Sequence, residues 1–164
     1  MALHLHRATE ADLPALLPMM VDFNHLEAID WTYARGEGAL RQLLGQSELG
    51  FVGLARREGA ACGYFVLTFG YDLEWNGRDA FLTELYLVPE ARGQGLGRHL
   101  LLEAEAQAEA RGAKALHLVV RPENAAALAL YLRTGFRESE RRLLTKPLGI
   151  PHPPSAGDSQ GRKG

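Results

Sequence analysis

Residues 92–97, Arg-Gly-Gln-Gly-Leu-Gly, stand between two segments of opposite character. Before them, Phe81–Val88 is apolar, aromatic and branched, which predicts a strand. Pro89 ends it, because proline has no N–H to give a sheet ladder. After them, Leu100, Leu101, Ala104 and Ala108 recur at helical spacing. A strand, a glycine-rich turn and a helix start together make an anion site. The first-turn N–H groups have no intrahelical partner, the helix dipole there favours negative charge, and glycines admit a phosphate close to the backbone. A phosphate or pyrophosphate ligand is therefore expected at Arg92, Gly93, Gln94, Gly95, Leu96, Gly97 and Arg98.

Two familiar phosphate loops do not fit. The mononucleotide loop needs GxxxxGK followed by Ser or Thr, and this stretch has no lysine. The dinucleotide pattern GxGxxG fails as well: its last position falls on Arg98 counted from Gly93, and on Leu100 counted from Gly95. The pattern Arg/Gln-x-x-Gly-x-Gly/Ala does fit, as Arg92, Gly95 and Gly97. Here the sequence resembles the GNAT superfamily of N-acetyltransferases, whose loop binds the pyrophosphate of acetyl-coenzyme A. A plain strand-to-helix turn is the bland alternative, and the flanking elements together with a downstream motif weigh against it.

The resemblance implies transfer of an acetyl group from a thioester to an amine in a direct ternary complex. That reaction has fixed needs. The amine must be neutral to attack, although a primary amine resembles lysine with a pKa of about 10. The thioester oxygen needs a donor as charge develops, and the leaving thiolate needs a proton. In diamine acetyltransferase-like members a tyrosine near the sulfur is the acid. The motif Tyr-x-x-x-Gly-Phe appears here as Tyr131 to Phe136, with Asn124 seven residues ahead of Tyr131, where the family brings an asparagine near the coenzyme. Without the resemblance, Tyr131 is a packing residue and Asn124 a helix N-cap. Glu84 lies inside the apolar strand, where a carboxylate is costly unless solvated or paired. A raised pKa would suit it as a base acting through water, or it is an acid that binds the acceptor. Strand alternation puts Glu84 on one face with Tyr86 and Val88, and Thr83, Leu85 and Leu87 on the other. By resemblance, backbone groups of Leu85, Tyr86 and Leu87 contact the pantetheine, freed by a splay between two parallel strands.

The remaining elements must position these groups. Leu3–Arg7 alternates as a strand, Thr9 and Asp12 form an N-cap with an acid near N3, and Leu13 to Val21 carries a helical stripe. Residues 22–35 are less periodic and rich in acids and aromatics; by resemblance they shape the acceptor pocket, with Glu27, Asp30 and Trp31 as candidate contacts for a cationic amine. A short second helix is expected at Glu37–Leu44. Gly50–Arg57 and Ala60–Phe69 read as strands turned at Glu58-Gly59, and Asn76-Gly77 is a second hairpin signal. Ala115–Val120 reads as a strand parallel to Phe81–Val88 through a right-handed crossover. The helix between them runs to about Arg111 with Gly112 as its cap, and a helix after Asn124 ends at Gly135. Phe136–Leu148 is expected to form two short strands around a charged interruption, and residues from Gly149 onward a disordered tail.

The expected fold is therefore α/β, with a GNAT-like domain over residues 1–148, a mixed, mostly antiparallel sheet, helices on both faces and a parallel pair at the cofactor site. Composition agrees: 164 residues, 46% hydrophobic and 23% charged. A net charge of −2 gives no reason to expect nucleic acid or a membrane as partner. A lone cysteine, Cys62, and no apolar leader or spanning run point to the cytoplasm. The six histidines show no metal-ligand spacing, and no metal is expected. The resulting reading is an acetyl-coenzyme A-dependent enzyme acting on a small cationic amine, with homodimer formation open. The alternatives are a non-catalytic acyl-coenzyme A sensor, or acetylation of a protein N-terminus or lysine.

Overall fold

The computed structural model describes residues 3–149. They fall in two compact units, Met1–Ala125 and Ala126–Gly164. In the first unit, β1 (Leu3–Arg7), β2 (Gly50–Arg57), β3 (Ala60–Asp72), β4 (Gly77–Leu87) and β5 (Leu116–Leu118) form one sheet in sequence order. β1 to β4 are antiparallel neighbours, and β5 joins β4 in parallel. Glu58 and Gly59 both take positive φ, the primed turn whose twist matches a hairpin. The β3–β4 connection is longer than the Asn76-Gly77 signal implies. Asp72 already pairs with Gly77, so residues 73–76 make the turn, with Asn76 left-handed at its end.

Side-chain alternation divides the core between two faces. Val52, Leu54, Tyr64, Val66 and Tyr86 pack with Leu13, Leu16, Met19 and Met20 of α1 (Leu13–Leu26) and Leu40 of α2 (Tyr33–Gly45). The opposite parity of β3, Phe65 and Leu67, is fully buried on the side of α3 (Leu96–Ala110), which buries Leu100, Leu101, Ala104 and Ala108. Helices thus cover both faces of the sheet. The β1–α1 turn is tied by Asp12. Its carboxylate accepts the Thr9 N–H at 3.0 Å, contacts His6 Nε2 at 3.1 Å and accepts from Arg56 at 3.1 Å.

Several boundaries differ from the sequence expectation. α1 continues to Leu26 and so takes in the first part of the irregular 22–35 stretch. α2 starts at Tyr33 rather than Glu37, because Thr32 is extended and opens the helix as its N-cap. β5 shrinks to Leu116–Leu118. α4 (Ala125–Arg133) is closed by the positive-φ Gly135, as expected. The two strands expected in Phe136–Leu148 are absent among the described residues. Five of the six residues 137–142 are charged, and Leu143, Leu144 and Leu148 are exposed, so no apolar face holds the segment in a ladder. Residues 150–164 of the expected tail lie outside the described residues.

Candidate functional site

β4 carries one extra residue. Leu85 pairs with Phe65 and Glu84 with Val66, but Leu82 pairs with Leu67, so Thr83 is bulged out. Its hydroxyl donates to the Val66 carbonyl at 3.4 Å. Simple alternation therefore holds only on the C-terminal side of Thr83, where Glu84, Tyr86 and Val88 do share the α1 face. Leu82, on the other side, points towards α3 with Leu67. The parallel ladder to β5 covers Ala80, Phe81 and Leu82 and stops where the bulge begins. From Thr83 to Leu87 the outer edge of β4 has no strand partner among the described residues, and this stretch includes Leu85, Tyr86 and Leu87.

Beyond that edge, Pro89–Ala91 makes a single 3-10 turn and the glycine loop follows. Gly93 has φ 71° and Gly95 φ 79°, and Gly95 is the N-cap of α3. A Cβ at either would meet no protein atom within 4 Å, so conformation demands glycine here and crowding does not. The first-turn amides of α3, from Leu96 through Arg98, have no intrahelical acceptor, while His99 N–H already bonds Gly95 O at 3.1 Å. The loop's shape is held by side chains. Gln94 Nε2 donates to Glu90 O at 2.8 Å, and its Oε1 accepts from Arg57 of β2 at 2.7 Å. Arg92 turns back to β4: its Nε donates to Leu87 O at 2.9 Å and its guanidinium lies 5.6 Å from the Tyr86 ring centre. Its charge thus sits at the end of the strand. Arg98 is exposed on the first turn of α3.

Glu84 is the half-buried acid of this face. The fully buried Tyr64 donates its hydroxyl to Glu84 Oε2 at 2.6 Å. Burial pushes the Glu84 carboxyl above the usual carboxylate range, and the Tyr64 hydrogen bond opposes that shift. Burial pushes the Tyr64 phenol far up, and the neighbouring Glu84 carboxylate adds to it, so Tyr64 remains a donor. The rings of Tyr64 and Tyr86 lie 5.8 Å apart. Tyr86, 4% exposed, donates to Asp22 of α1 at 3.3 Å. Burial first, then Asp22, raises its phenol. Two tyrosine–carboxylate pairs therefore stand side by side on the α1 face, with Arg92 over the second ring.

Tyr64 and Asp22 had not been singled out from sequence. Tyr64 sits in a continuous apolar run, and the usable signal was that a tyrosine in such a run needs a partner for its hydroxyl. Two of the acceptor candidates have partners of their own. Asp30 is exposed and holds Arg35 at 2.8 Å. Trp31 packs its ring over Gly36, where any Cβ would clash with it, and meets Tyr33 edge-on at 6.2 Å. Glu27 is half-buried at the end of α1. His117, on β5, contacts Asp79 at 3.3 Å, and no described residues form a metal-binding group of histidines, cysteines and acids.

In the second unit, the Tyr131–Phe136 motif has a clear local cause. Phe136 N–H bonds Tyr131 O at 3.1 Å and Gly135 N–H bonds Leu132 O at 3.2 Å, with Gly135 at φ 100°. This is a Schellman end, and the Tyr131–Phe136 ring contact at 5.8 Å is the apolar contact that accompanies it. Tyr131 is half-buried. Asn124 directly precedes α4.

Comparison with known proteins bears on this arrangement. A family model described as "Acetyltransferase (GNAT) family" matches residues 20–136. The chain is 34% identical over 76 residues to a thialysine N-epsilon-acetyltransferase of Bos taurus, 46% of this chain and 44% of the relative. It is 44% identical over 64 residues to the [ribosomal protein bS18]-alanine N-acetyltransferase of Escherichia coli K12, 39% of this chain and 43% of the relative. The matched segments thus span less than half of each curated relative. An integron cassette protein from the mobile metagenome of Cole Harbour Salt Marsh superimposes with a TM-score of 0.79 at 30% identity, covering 90% of this chain and 92% of that one.

Proposed function

Since this chain belongs to the acetyltransferase (GNAT) family, we propose that it transfers the acetyl group of acetyl-coenzyme A to a primary amine of a small cationic molecule, by direct attack in a ternary complex. One observation carries the reading: among the described residues the β4 edge from Thr83 to Leu87 has no strand partner, and it runs from the half-buried Glu84 to a glycine turn whose first helix amides have no intrahelical acceptor. The cofactor fits these groups. The amides of Leu96–Arg98 suit a pyrophosphate, and the β4 edge suits the amide-bearing pantetheine arm. Arg57 and Arg98 supply positive charge at the loop, and Gln94, held from both sides, fixes its shape.

In this reading Glu84 takes the proton of the incoming ammonium, directly or through a water. The nitrogen then bonds to the thioester carbonyl carbon, the carbon–sulfur bond breaks, the thiolate receives the Tyr131 proton, and the acetylated nitrogen gives up its second proton, which restores the Tyr131 hydroxyl by way of water. Support for Tyr131 is its place in the family motif, and Asn124 is assigned beside the coenzyme on the same ground. No cysteine lies in the motif region, which favours direct transfer over an acetyl-enzyme. Asp22 joins Glu27 and Asp30 as an acid for the acceptor, with Trp31 beside them. The relatives' names cover both a thialysine and a ribosomal protein alanine, so acetylation of a protein terminus is the second reading.

The direct test is a thiol-release screen with acetyl-coenzyme A over polyamines, aminoglycosides, amino acids and peptides. Small cationic amines should turn over. Release with peptides alone would replace the acceptor, and tight acetyl-coenzyme A binding with no release from any amine would leave a sensor. A matched pair tests the charge argument. Glu27→Gln and Asp30→Asn should raise KM for an amine with a second positive charge up to several-fold more than for its neutral isostere, since an exposed cation–carboxylate pair is worth about 0.2–1 kcal/mol. Equal effects on both substrates would remove these acids from the acceptor site.

A further inference from the structure

Tyr64 has no place in the chemistry above, yet it is 0% exposed and makes one of the shortest side-chain hydrogen bonds of the molecule, 2.6 Å to Glu84. Resting on the reading of Glu84 as the base, we propose that Tyr64 is the positioning residue of that carboxylate: its hydroxyl donates to Oε2 and fixes the group in place, leaving Oε1 to receive the amine's proton.

The geometry supports this in three ways. First, Tyr64 cannot swing away. Its ring is enclosed by Val66, Leu54 and the α1 side chains and lies 5.8 Å from the Tyr86 ring. Second, the two residues are on adjacent strands near the bulge, with Val66 opposite Glu84 and Tyr86 opposite Tyr64, so the bond runs diagonally and fixes the carboxylate's rotation about its stem. Third, burial raises the Glu84 carboxyl above the usual carboxylate range, and the phenol donor is the contact that works against that shift. The other groups on this face do not replace it. Tyr86 of β4 is committed to Asp22 of α1, and Arg92, following β4, lies over the Tyr86 ring with its Nε on Leu87 O. Proton balance is simple: one proton leaves the ammonium nitrogen for Oε1, and Glu84 goes from charge −1 to neutral.

The sign follows. The Tyr64 hydroxyl stabilises the ionised carboxylate, so removing it raises the Glu84 pKa further. The acidic limb of kcat/KM should then move to higher pH. A hydrogen bond to a charged group is worth about one to two pH units on that limb. The experiment measures kcat/KM against pH for the full chain and for Tyr64→Phe, with acetyl-coenzyme A and the best amine from the screen. Phenylalanine keeps the ring and its packing. Expected is an upward shift of the acidic limb with recovery to within a few-fold of the unmodified enzyme above it. An unmoved limb, or a uniform loss at every pH, would overturn the proposal and leave Tyr64 as packing. Glu84→Gln separates the two layers: if it keeps the original limb, Glu84 is not the base. The carboxyl carbon of Glu84, titrated by ¹³C NMR in the unmodified chain and in Tyr64→Phe, then decides without any turnover. A higher midpoint in Tyr64→Phe upholds the clamp, and equal midpoints refute it.

Discussion

Gly95→Asp should lower the affinity for acetyl-coenzyme A by about a hundredfold or more, measured by calorimetry. Gly95 is the N-cap of α3 at φ 79°, and the three amides that follow it have no intrahelical acceptor. An aspartate there would offer its own carboxylate to those amides and set a negative charge a few ångströms from a pyrophosphate. Two unit charges at about 4 Å repel by roughly 4 kcal/mol at an effective dielectric of about 20, and solvent at an exposed loop reduces that. Aspartate is among the residues that tolerate left-handed backbone, so the fold should survive. Gly95→Ala is the companion variant. It carries the backbone strain without the charge, and it should bind more tightly than Gly95→Asp while melting at a similar or lower temperature. If Gly95→Asp binds like the unmodified chain, the loop does not hold the phosphates.

Tyr131→Phe should cut turnover by about 10²–10⁴ with coenzyme affinity nearly unchanged, the usual loss when a positioned acid is removed. Phenylalanine is the informative replacement because it keeps the ring and the carbonyl that close the helix. The ring meets Phe136 at 5.8 Å, and the carbonyl accepts the Phe136 N–H at 3.1 Å. Both survive the change, so a rate loss would report the hydroxyl alone. Unchanged turnover would make Tyr131 the anchor of a helix end and nothing more.

Much of the frame was readable because it rests on local rules. The primed turn at Glu58-Gly59, the glycine ends of α3 and α4 and the strand–loop–helix at residues 81–102 each follow from a few adjacent residues. What was not readable depends on neighbours. A one-residue bulge leaves no mark in hydropathy, so the bulge at Thr83 was invisible. The Tyr64–Glu84 bond joins residues 20 apart in sequence. Each alone was a polar group in an apolar strand, and only the β3–β4 register makes them partners. The missing strands after Phe136 teach the converse. Apolar residues there were read as strand, but a strand is made by its neighbour and not by its own composition.

The bulge at Thr83 also gives β4 two separable properties, orientation and spacing. Take Thr83 out, and Leu82 would adjoin Glu84 opposite Leu67 and Val66 in plain alternation, each still facing the side it faces now. The directions of the acid and of the apolar side chains do not depend on the extra residue. What does depend on it is the added twist at the point where β4 parts from β5. A chain one residue shorter would keep the Glu84 carboxylate facing α1 while losing the twist where β4 parts from β5. The length of β4 is therefore a setting for that twist, and this single position lets it vary without turning the acid.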